Sequence, residues 1–121
     1  MIYIIRHGET WKNKEKLLQG RSNDPLNEAG IRQAEEAREF FKDRGIHFSK
    51  VYTSPLVRAV RTAQIIAGDS VGVITDDRLL EMDYGPYEGT SLEPPAPEVL
   101  YFFMDLYPLR GYSSFSDFKI S

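Results

Sequence analysis

The first ten residues constrain the fold of this chain more than any other segment. Residues 1–5 form an uncharged apolar run, and Arg6, His7, Gly8 and Glu9 follow it directly. A short apolar run bounded by a glycine turn predicts a strand that is buried on both faces of a parallel sheet. Open α/β sheets place their ligand crevice at the carboxyl ends of such strands. The charged residues that follow the run are therefore expected to lie in a ligand crevice.

The residue types in this crevice suit the chemistry of phosphate. Arg6 offers a rigid fork of N–H donors that fits phosphate or carboxylate, and its charge helps to keep His7 neutral. Gly8 allows the backbone to turn sharply and a ligand to approach it closely. A neutral imidazole beside an anion clamp is suited to nucleophilic attack on phosphorus. On pattern alone, however, an arginine and a histidine that merely end a strand in solvent explain these residues equally well.

A longer set of motifs decides between these alternatives. Residues 6–10 read Arg-His-Gly-Glu-Thr, which matches the R-H-G-E-T signature of the histidine phosphatase superfamily. The chain therefore resembles this superfamily, which includes the cofactor-dependent phosphoglycerate mutases. The other matching positions follow in chain order: Asn13, Leu18 to Gly20, Pro25 to Gly30, Gln33-Ala34, Ser54 to Ala59, Thr62-Ala63, Leu80-Glu81, Gly85 and Glu88-Gly89.

The resemblance implies a fold and a domain organisation. The expected fold is the phosphoglycerate mutase-like three-layer α/β/α arrangement with a mostly parallel central sheet. Residues 1–121 would be the N-terminal portion of one such domain, with the C-terminal part missing and residues 92–110 forming a lid insertion. The family has a second active-site histidine on a strand near its C-terminus, and this chain ends before that strand. We therefore expect the 121-residue chain to turn over poorly.

The resemblance also implies the roles of individual residues. His7 matches the nucleophile that becomes phosphohistidine, and Glu81 matches the glutamate that acts as acid and base. Arg6 and Arg58 match the two arginines that neutralise the phosphoryl oxygens, and neither a metal nor another cofactor is implied. The remaining phosphate-pocket positions are Asn13, Gln19, Gly20 and Ser22, and Asn23 is a candidate to share the role of Ser22.

The segments between these motifs predict alternating helices and strands. Strands are expected at residues 50–54 and 71–75, where β-branched and aromatic residues dominate. The first long helix is expected to begin after Asn27 as N-cap and to stop at Gly45. Its buried face is expected to include the apolar residues at helical spacing, Ile31, Ala34, Ala37, Phe40 and Phe41.

The next helix is expected to begin with Ser54 as N-cap and Pro55 at the first helical position. Arg58 then lies near the positive end of the helix dipole, where anions are favoured. His47 has no partner nearby in the sequence and is expected at the surface. The predicted inward stripe of this helix consists of Leu56, Val60, Ala63 and Ala67, and the lysines predicted to be solvated are Lys12, Lys14 and Lys16.

Composition bounds the partners and the location of the chain. A formal net charge of −3 argues against general affinity for nucleic acid or anionic membranes. No apolar run approaches the roughly 20 residues of a membrane span, and no secretory signal is visible. The sequence contains no cysteine, which fits a reducing cytoplasm. The expected partner is a small phosphorylated molecule.

Three functions and one mode of assembly remain open. The chain is expected to hydrolyse a small phosphate ester, to move phosphate between hydroxyls as a phosphoglycerate mutase does, or to bind phosphate without catalysis. An apolar strand at residues 1–5 with one open edge is also a template for another chain. We therefore expect a homo-oligomer whose contact involves residues 1–5 or residues 98–107.

Overall fold

The computed structural model describes residues 1–92 and arranges them as an α/β structure. The predicted lid therefore lies, apart from Leu92, outside the described residues. Within the part that is described, no helix combines the length and the apolar character that crossing a membrane requires. The elements are α1 (Trp11–Lys14), α2 (Glu28–Asp43), β1 (Val51–Thr53), α3 (Val57–Ala67), β2 (Val73–Thr75) and two single turns of 3-10 helix (Asp77–Leu79 and Gly85–Tyr87).

The strands predicted at residues 50–54 and 71–75 form a parallel pair, with α3 as the connection between them. The register places Val51 opposite Val73 and Thr53 opposite Thr75. Beyond β2 the Asp76 N–H still donates to the Thr53 carbonyl at 2.9 Å. Helix α3 packs against both strands and against α2. The predicted α/β class with parallel pairing is confirmed.

Residues 1–5 do not form the predicted strand. Residues 1–9 belong to no helix or strand, and the side chains of Ile2 and Ile4 are 88% and 95% exposed. A strand is stabilised by ladder hydrogen bonds to a neighbour, and among residues 1–92 β1 pairs only with β2. Tyr3 is anchored, with its ring centroid 5.3 Å from that of Phe41. The prediction of a strand buried on both faces is therefore wrong for the described structure.

Helix α2 begins and ends as predicted. The Asn27 side-chain oxygen accepts a hydrogen bond from the Gly30 N–H at 2.8 Å and so caps the first turn. After the helix, Gly45 adopts the left-handed conformation with φ of +64°, which favours glycine. Phe41 is buried as expected, but Phe40 is 47% exposed, because adjacent residues on a helix point about 100° apart.

Helix α3 begins two residues later than predicted. Its first residue is Val57, and Leu56 occupies the N-cap position without a side-chain hydrogen bond. Asn23 supplies the missing acceptor from another part of the chain, because its Oδ1 accepts from the Val57 N–H at 2.8 Å. Ser54 instead accepts weakly from the Leu56 N–H at 3.4 Å. The prediction of a Ser54 cap is wrong, and the loop before α2 caps α3.

The inner face of α3 is more polar than the apolar stripe predicted. Leu56 is buried, but the other three predicted positions are only partly buried. The most buried residues within the helix are Arg58 and Thr62, with 2% and 6% exposure. Burial of an arginine requires partners for its donors, and those partners define the site described next.

Candidate active site

The segment that carries His7 is held between α2 and α3 by hydrogen bonds on both sides. The Gly8 N–H donates to the Thr62 hydroxyl at 3.0 Å, and this hydroxyl donates to the Arg58 carbonyl of α3 at 2.8 Å. On the other side, the Glu9 carbonyl accepts from the Asn27 N–H at 3.0 Å. His7 is thus fixed at the ends of both long helices, although its segment is not a strand.

Gly8 is required at this point for close packing. A Cβ atom placed on Gly8 would lie 2.4 Å from the carbonyl oxygen of Gly30 in the first turn of α2. Conversely, a Cβ on Gly30 would lie 2.2 Å from the Glu9 carbonyl oxygen. Gly8 is not among the residues with positive φ. Its small size therefore serves the approach of a helix, and the sharp turn expected from the sequence is not observed.

His7 is held as a neutral imidazole with a defined tautomer. Its Nδ1 lies 2.6 Å from the Gly8 carbonyl oxygen, which can only accept, so Nδ1 carries the proton. Its Nε2 then has a lone pair and accepts from the Arg58 Nε–H at 3.3 Å. Burial first, and then the charges of Arg58 and Arg6, lower the pKa of His7 to about 4, against the opposing effects of the Gly8 bond and Glu81. The predicted neutral histidine is confirmed, with burial as the main cause.

Arg58 is the buried cation of the site. Its guanidinium donates to the Ser22 carbonyl at 2.5 Å, to the Gly20 carbonyl, and to His7. Burial lowers the pKa of Arg58, while Asp24 is foremost among the carboxylates that oppose this shift. Arg58 therefore joins the loop at residues 20–22 to Nε2 of His7.

Arg6 and Glu81 complete the charged surroundings of His7. Arg6 keeps part of its surface in water, and desolvation of the remainder lowers the pKa of its guanidinium against the negative charge of Glu81. The same carboxylate raises the pKa values of His7 and Arg58. The Glu81 Oε1 accepts from the Met82 N–H at 2.8 Å. The four charged or titratable residues predicted from the sequence are thus close enough to influence one another.

Asn13 and Gln19 bind other protein groups in this structure. The Asn13 side chain accepts from the Thr10 N–H at 3.0 Å and donates to the Gln19 side-chain oxygen at 3.2 Å. Gln19 is 6% exposed and donates to Asp24 at 3.2 Å. The neighbouring Gly20 is buried, and a Cβ on it would lie 2.3 Å from the Met82 carbonyl oxygen. These residues shape the loop that holds Arg58.

Lys12 is buried and Asp24 is half-buried beside this loop, and neither role was predicted from the sequence. Lys12 is 9% exposed, so the prediction of a solvated lysine is wrong; Lys14 and Lys16 are exposed as expected. The Lys12 ammonium donates to the Ser22 hydroxyl at 2.8 Å and lies 3.2 Å from Asp24. The Ser22 hydroxyl donates to Asp24 at 2.6 Å. The Ser22 hydroxyl, which was predicted to donate to phosphate, therefore donates to the Asp24 carboxylate in this structure.

Asp24 collects several donors and is ionised as a result. Burial by itself would raise its pKa, but hydrogen bonds from Ser22, Gln19, Lys12 and Trp11 lower it to about 2. A single aspartate before a proline carries no pattern that would reveal such a role from sequence.

Among residues 1–92 no group of three or more metal-ligating side chains is arranged to hold a metal ion.

The comparisons with known proteins agree with this geometry. Residues 2–102 match the sequence model of the histidine phosphatase superfamily (branch 1). The chain belongs to this family. The chain is 44% identical over 98 residues to the probable phosphoglycerate mutase GpmB of Cronobacter sakazakii, covering 80% of the chain and 45% of that protein. It is 43% identical over 98 residues to the fructose-2,6-bisphosphatase TIGAR B of Danio rerio, covering 76% and 37% respectively.

A solved structure supports the same fold. The phosphoserine phosphatase of Entamoeba histolytica, in complex with 3-phosphoglyceric acid, superposes with a TM-score of 0.69 at 35% identity. The alignment covers 81% of this chain and 49% of that structure. The chain thus spans about half the length, or less, of the relatives that it matches.

Proposed function

We propose that this chain carries the phosphoryl-transfer site of a histidine phosphatase and that a small phosphate ester phosphorylates His7 at Nε2. The observation that carries the proposal is the state of His7. Its Nδ1 proton is held by the Gly8 carbonyl, its Nε2 lone pair faces Arg58, and its pKa is lowered to about 4. An imidazole in this state is a nucleophile at neutral pH, and a cation lies beside the attacking atom.

The proposed reaction has two steps. The Nε2 lone pair forms a bond to phosphorus as the ester P–O bond breaks, and the leaving oxygen takes a proton from the Glu81 carboxyl group. Water then attacks the phosphohistidine, Glu81 accepts a proton from it, and inorganic phosphate leaves with the bond to Nε2 broken. Arg58 now donates to Nε2, so it must turn toward the phosphoryl oxygens, together with Arg6, before attack.

The phosphate-pocket residues remain part of the proposal. The carbonyl groups of Gly20 and Ser22 accept hydrogen bonds from Arg58. Asn13 donates to Gln19 in the same loop. Asn23 is engaged in capping α3. We therefore assign Ser22 the contact with phosphate, which requires its hydroxyl to exchange its bond to Asp24 for one to a phosphoryl oxygen.

The test is to trap the phosphorylated histidine. Wild type, His7→Gln and His47→Gln are incubated with p-nitrophenyl phosphate, and acid-labile phosphohistidine is measured by 31P NMR. His47 is a suitable control because it is exposed and precedes the amino end of β1. Arg58, by contrast, belongs to α3, which follows the carboxyl end of β1. Phosphohistidine is expected in wild type and in His47→Gln, and it is expected to be absent in His7→Gln. Wild type without phosphohistidine, or His7→Gln with it, would overturn the proposal.

The acceptor of the phosphoryl group distinguishes the two reactions: it is water in hydrolysis and a hydroxyl group in the mutase reaction. Related proteins bear the names of a mutase and of phosphatases, so each reaction has support. The phosphatase assignment predicts release of inorganic phosphate from p-nitrophenyl phosphate with no exchange between 2- and 3-phosphoglycerate. A mutase would show the exchange.

We propose that the chain also self-associates through residues 1–5. The side chains of Ile2 and Ile4 are almost fully exposed, whereas Tyr3 packs on Phe41 and Phe48 and anchors the segment. An apolar surface segment that pairs with no strand among residues 1–92 favours pairing with a second copy. Residues 98–107, the other predicted contact, lie outside the described residues.

The location and the absence of nucleic-acid binding are proposals as well. A chain without cysteine is compatible with a reducing compartment, and we propose the cytoplasm. The net charge of −3 disfavours nucleic-acid binding. Cell fractionation and a gel-shift assay with duplex DNA and RNA check these two expectations.

A further inference from the structure

The Glu88 carboxylate is bound by backbone N–H groups of the loop at residues 20–22. The Gly20 N–H lies 2.8 Å from Oε2 and 3.0 Å from Oε1, and the Ser22 N–H lies 3.2 Å from Oε1. Hydrogen bonds to an ionised acceptor are stronger than those between neutral groups. Glu88 is therefore a strong anchor for a loop that is 66 to 68 residues away in sequence.

The same loop presents its carbonyl groups to Arg58. Gly20 and Ser22 each donate through N–H to Glu88 and accept through C=O from the Arg58 guanidinium. The loop is thus held between the Glu88 carboxylate, which accepts from its N–H groups, and the Arg58 guanidinium, which donates to its carbonyl groups. Because Arg58 also donates to His7, Glu88 is linked to Nε2 of His7 through the loop backbone and the Arg58 guanidinium.

Backbone contacts fix the position from which Glu88 acts. The Gly89 N–H donates to the Leu18 carbonyl at 2.8 Å, and the Leu18 N–H donates to the Thr90 carbonyl at 2.8 Å. Leu18 is fully buried against Tyr84. The Lys12 ammonium, 3.7 Å from Glu88, balances part of its charge. Glu88 is therefore supported by the core on one side and by a cation on the other.

From this arrangement we infer that Glu88 is a positioning residue for the reaction at His7. It sets the loop at residues 20–22, and the loop holds the Arg58 guanidinium beside Nε2 of His7. From this position Arg58 turns toward the incoming phosphoryl group. The inference rests on the proposed function for its effect on rate, but the link from Glu88 to His7 does not depend on it. Glu88 itself does not contact the reacting atoms in this account.

The test compares Glu88→Gln and Glu88→Ala with Asp83→Asn. Asp83 is a matched control because it lies in the same segment, is exposed, and uses its side chain only on the nearby Gly85 N–H among its described bonds. The rate of His7 phosphorylation by p-nitrophenyl phosphate is expected to fall about 10²-fold in Glu88→Ala, as for a displaced catalytic group. Glu88→Gln keeps one acceptor oxygen and is expected to lose less.

A second readout separates positioning from simple loss of stability. The 15N chemical shift of His7 Nε2 reports the hydrogen bond from Arg58, and it is expected to change in Glu88→Ala and to stay at the wild-type value in Asp83→Asn. Both readouts are taken well below the thermal midpoint of each variant, and Glu88→Gln, which is isosteric, serves if Glu88→Ala does not fold.

The outcomes are distinct. Folded Glu88 variants with the wild-type phosphorylation rate and an unchanged His7 shift would overturn the inference. A wild type that is never phosphorylated would refute the proposed function alone. In that case the His7 shift still decides whether Glu88 controls Arg58, since it is measured without substrate.

Discussion

At the residue scale, the protonation of His7 makes the stability of the fold depend on pH. The pKa of His7 is about 4 in the folded chain and near the ordinary 6.5 in the unfolded chain. Between these values the unfolded chain holds more protons, so the free energy of unfolding falls as the pH is lowered through this window. Above the window His7 contributes no pH dependence.

Replacement of His7 by Gln is therefore expected to reduce the acid sensitivity. We expect wild type to lose about 1–3 kcal/mol more than His7→Gln between neutral pH and the lower end of the window, a range discounted for the partial exposure of the ring. Urea unfolding of both proteins across this window measures the difference. Asp24, whose pKa is lowered to about 2, also loses stabilisation toward the lower end of this window, but it does so equally in both proteins and cancels in the comparison. Equal losses in the two proteins would contradict a depressed His7 pKa.

Arg58 is expected to be the residue on which anion binding most depends. Replacing it by Gln leaves the Gly20 and Ser22 carbonyls without their charged donor, at a cost of about 1–3 kcal/mol in the free energy of unfolding. Inorganic phosphate is expected to stabilise wild type, because a ligand that binds the folded state shifts unfolding. It is expected to leave Arg58→Gln unchanged.

Arg61→Gln is the control for this experiment, since Arg61 is exposed on the same helix. Urea unfolding of the three proteins, with and without phosphate, gives the result. Phosphate stabilisation that survives in Arg58→Gln would place the anion elsewhere than between Arg6, His7 and Arg58.

At the element scale, the position of His7 depends on how closely its segment approaches α2. Gly8→Ala would place a methyl group 2.4 Å from the Gly30 carbonyl oxygen, and the atoms that it would meet are backbone atoms of α2, which leave little room for adjustment. Overpacking of this kind destabilises by about 1–3 kcal/mol. Thermal and urea unfolding are expected to show this loss, with reduced labelling of His7.

Gly72→Ala provides the matched control, because a Cβ on Gly72 would meet nothing within 4 Å. Its stability is expected to remain near that of wild type. Similar losses in the two variants would mean that Gly8 acts through chain flexibility and not through contact with α2.

At the scale of the whole molecule, the exposed apolar segment at residues 1–5 is expected to favour self-association. Ile2 and Ile4 place large apolar surfaces in water, and a second copy that covers them gains hydrophobic stabilisation. Light scattering at micromolar concentration is expected to show a dimer or larger species for wild type. The double variant Ile2→Lys, Ile4→Lys is expected to be monomeric.

Leu79→Lys controls for a general effect of added charge, since Leu79 is 52% exposed at a distant position in the sequence. It is expected to leave the wild-type association intact. A monomeric wild type, or dissociation of Leu79→Lys as well, would refute contact through residues 1–5.

Short sequence patterns were enough to predict the family, the parallel strands and the group of Arg6, His7, Arg58 and Glu81 that the fold brings together. These features depend on short patterns: the run at residues 6–10, the β-branched segments that became β1 and β2, and the Asn27 cap of α2. Such patterns act within a few residues, where backbone propensity and side-chain capping decide the outcome. The neutral state of His7 was also foreseen from its arginine neighbour.

Features that depend on contacts between distant segments could not be predicted from the sequence. Residues 1–5 have the composition of a strand, yet a strand forms only where a partner offers its ladder, and β1 and β2 pair with each other. Asn23 displaced Ser54 as the cap of α3 because folding brings it to Val57. Likewise, Lys12 is buried beside Asp24, and Glu88 reaches Arg58 through a loop near the start of the chain. No local pattern encodes these contacts, because each arises from packing between residues that only the fold brings together.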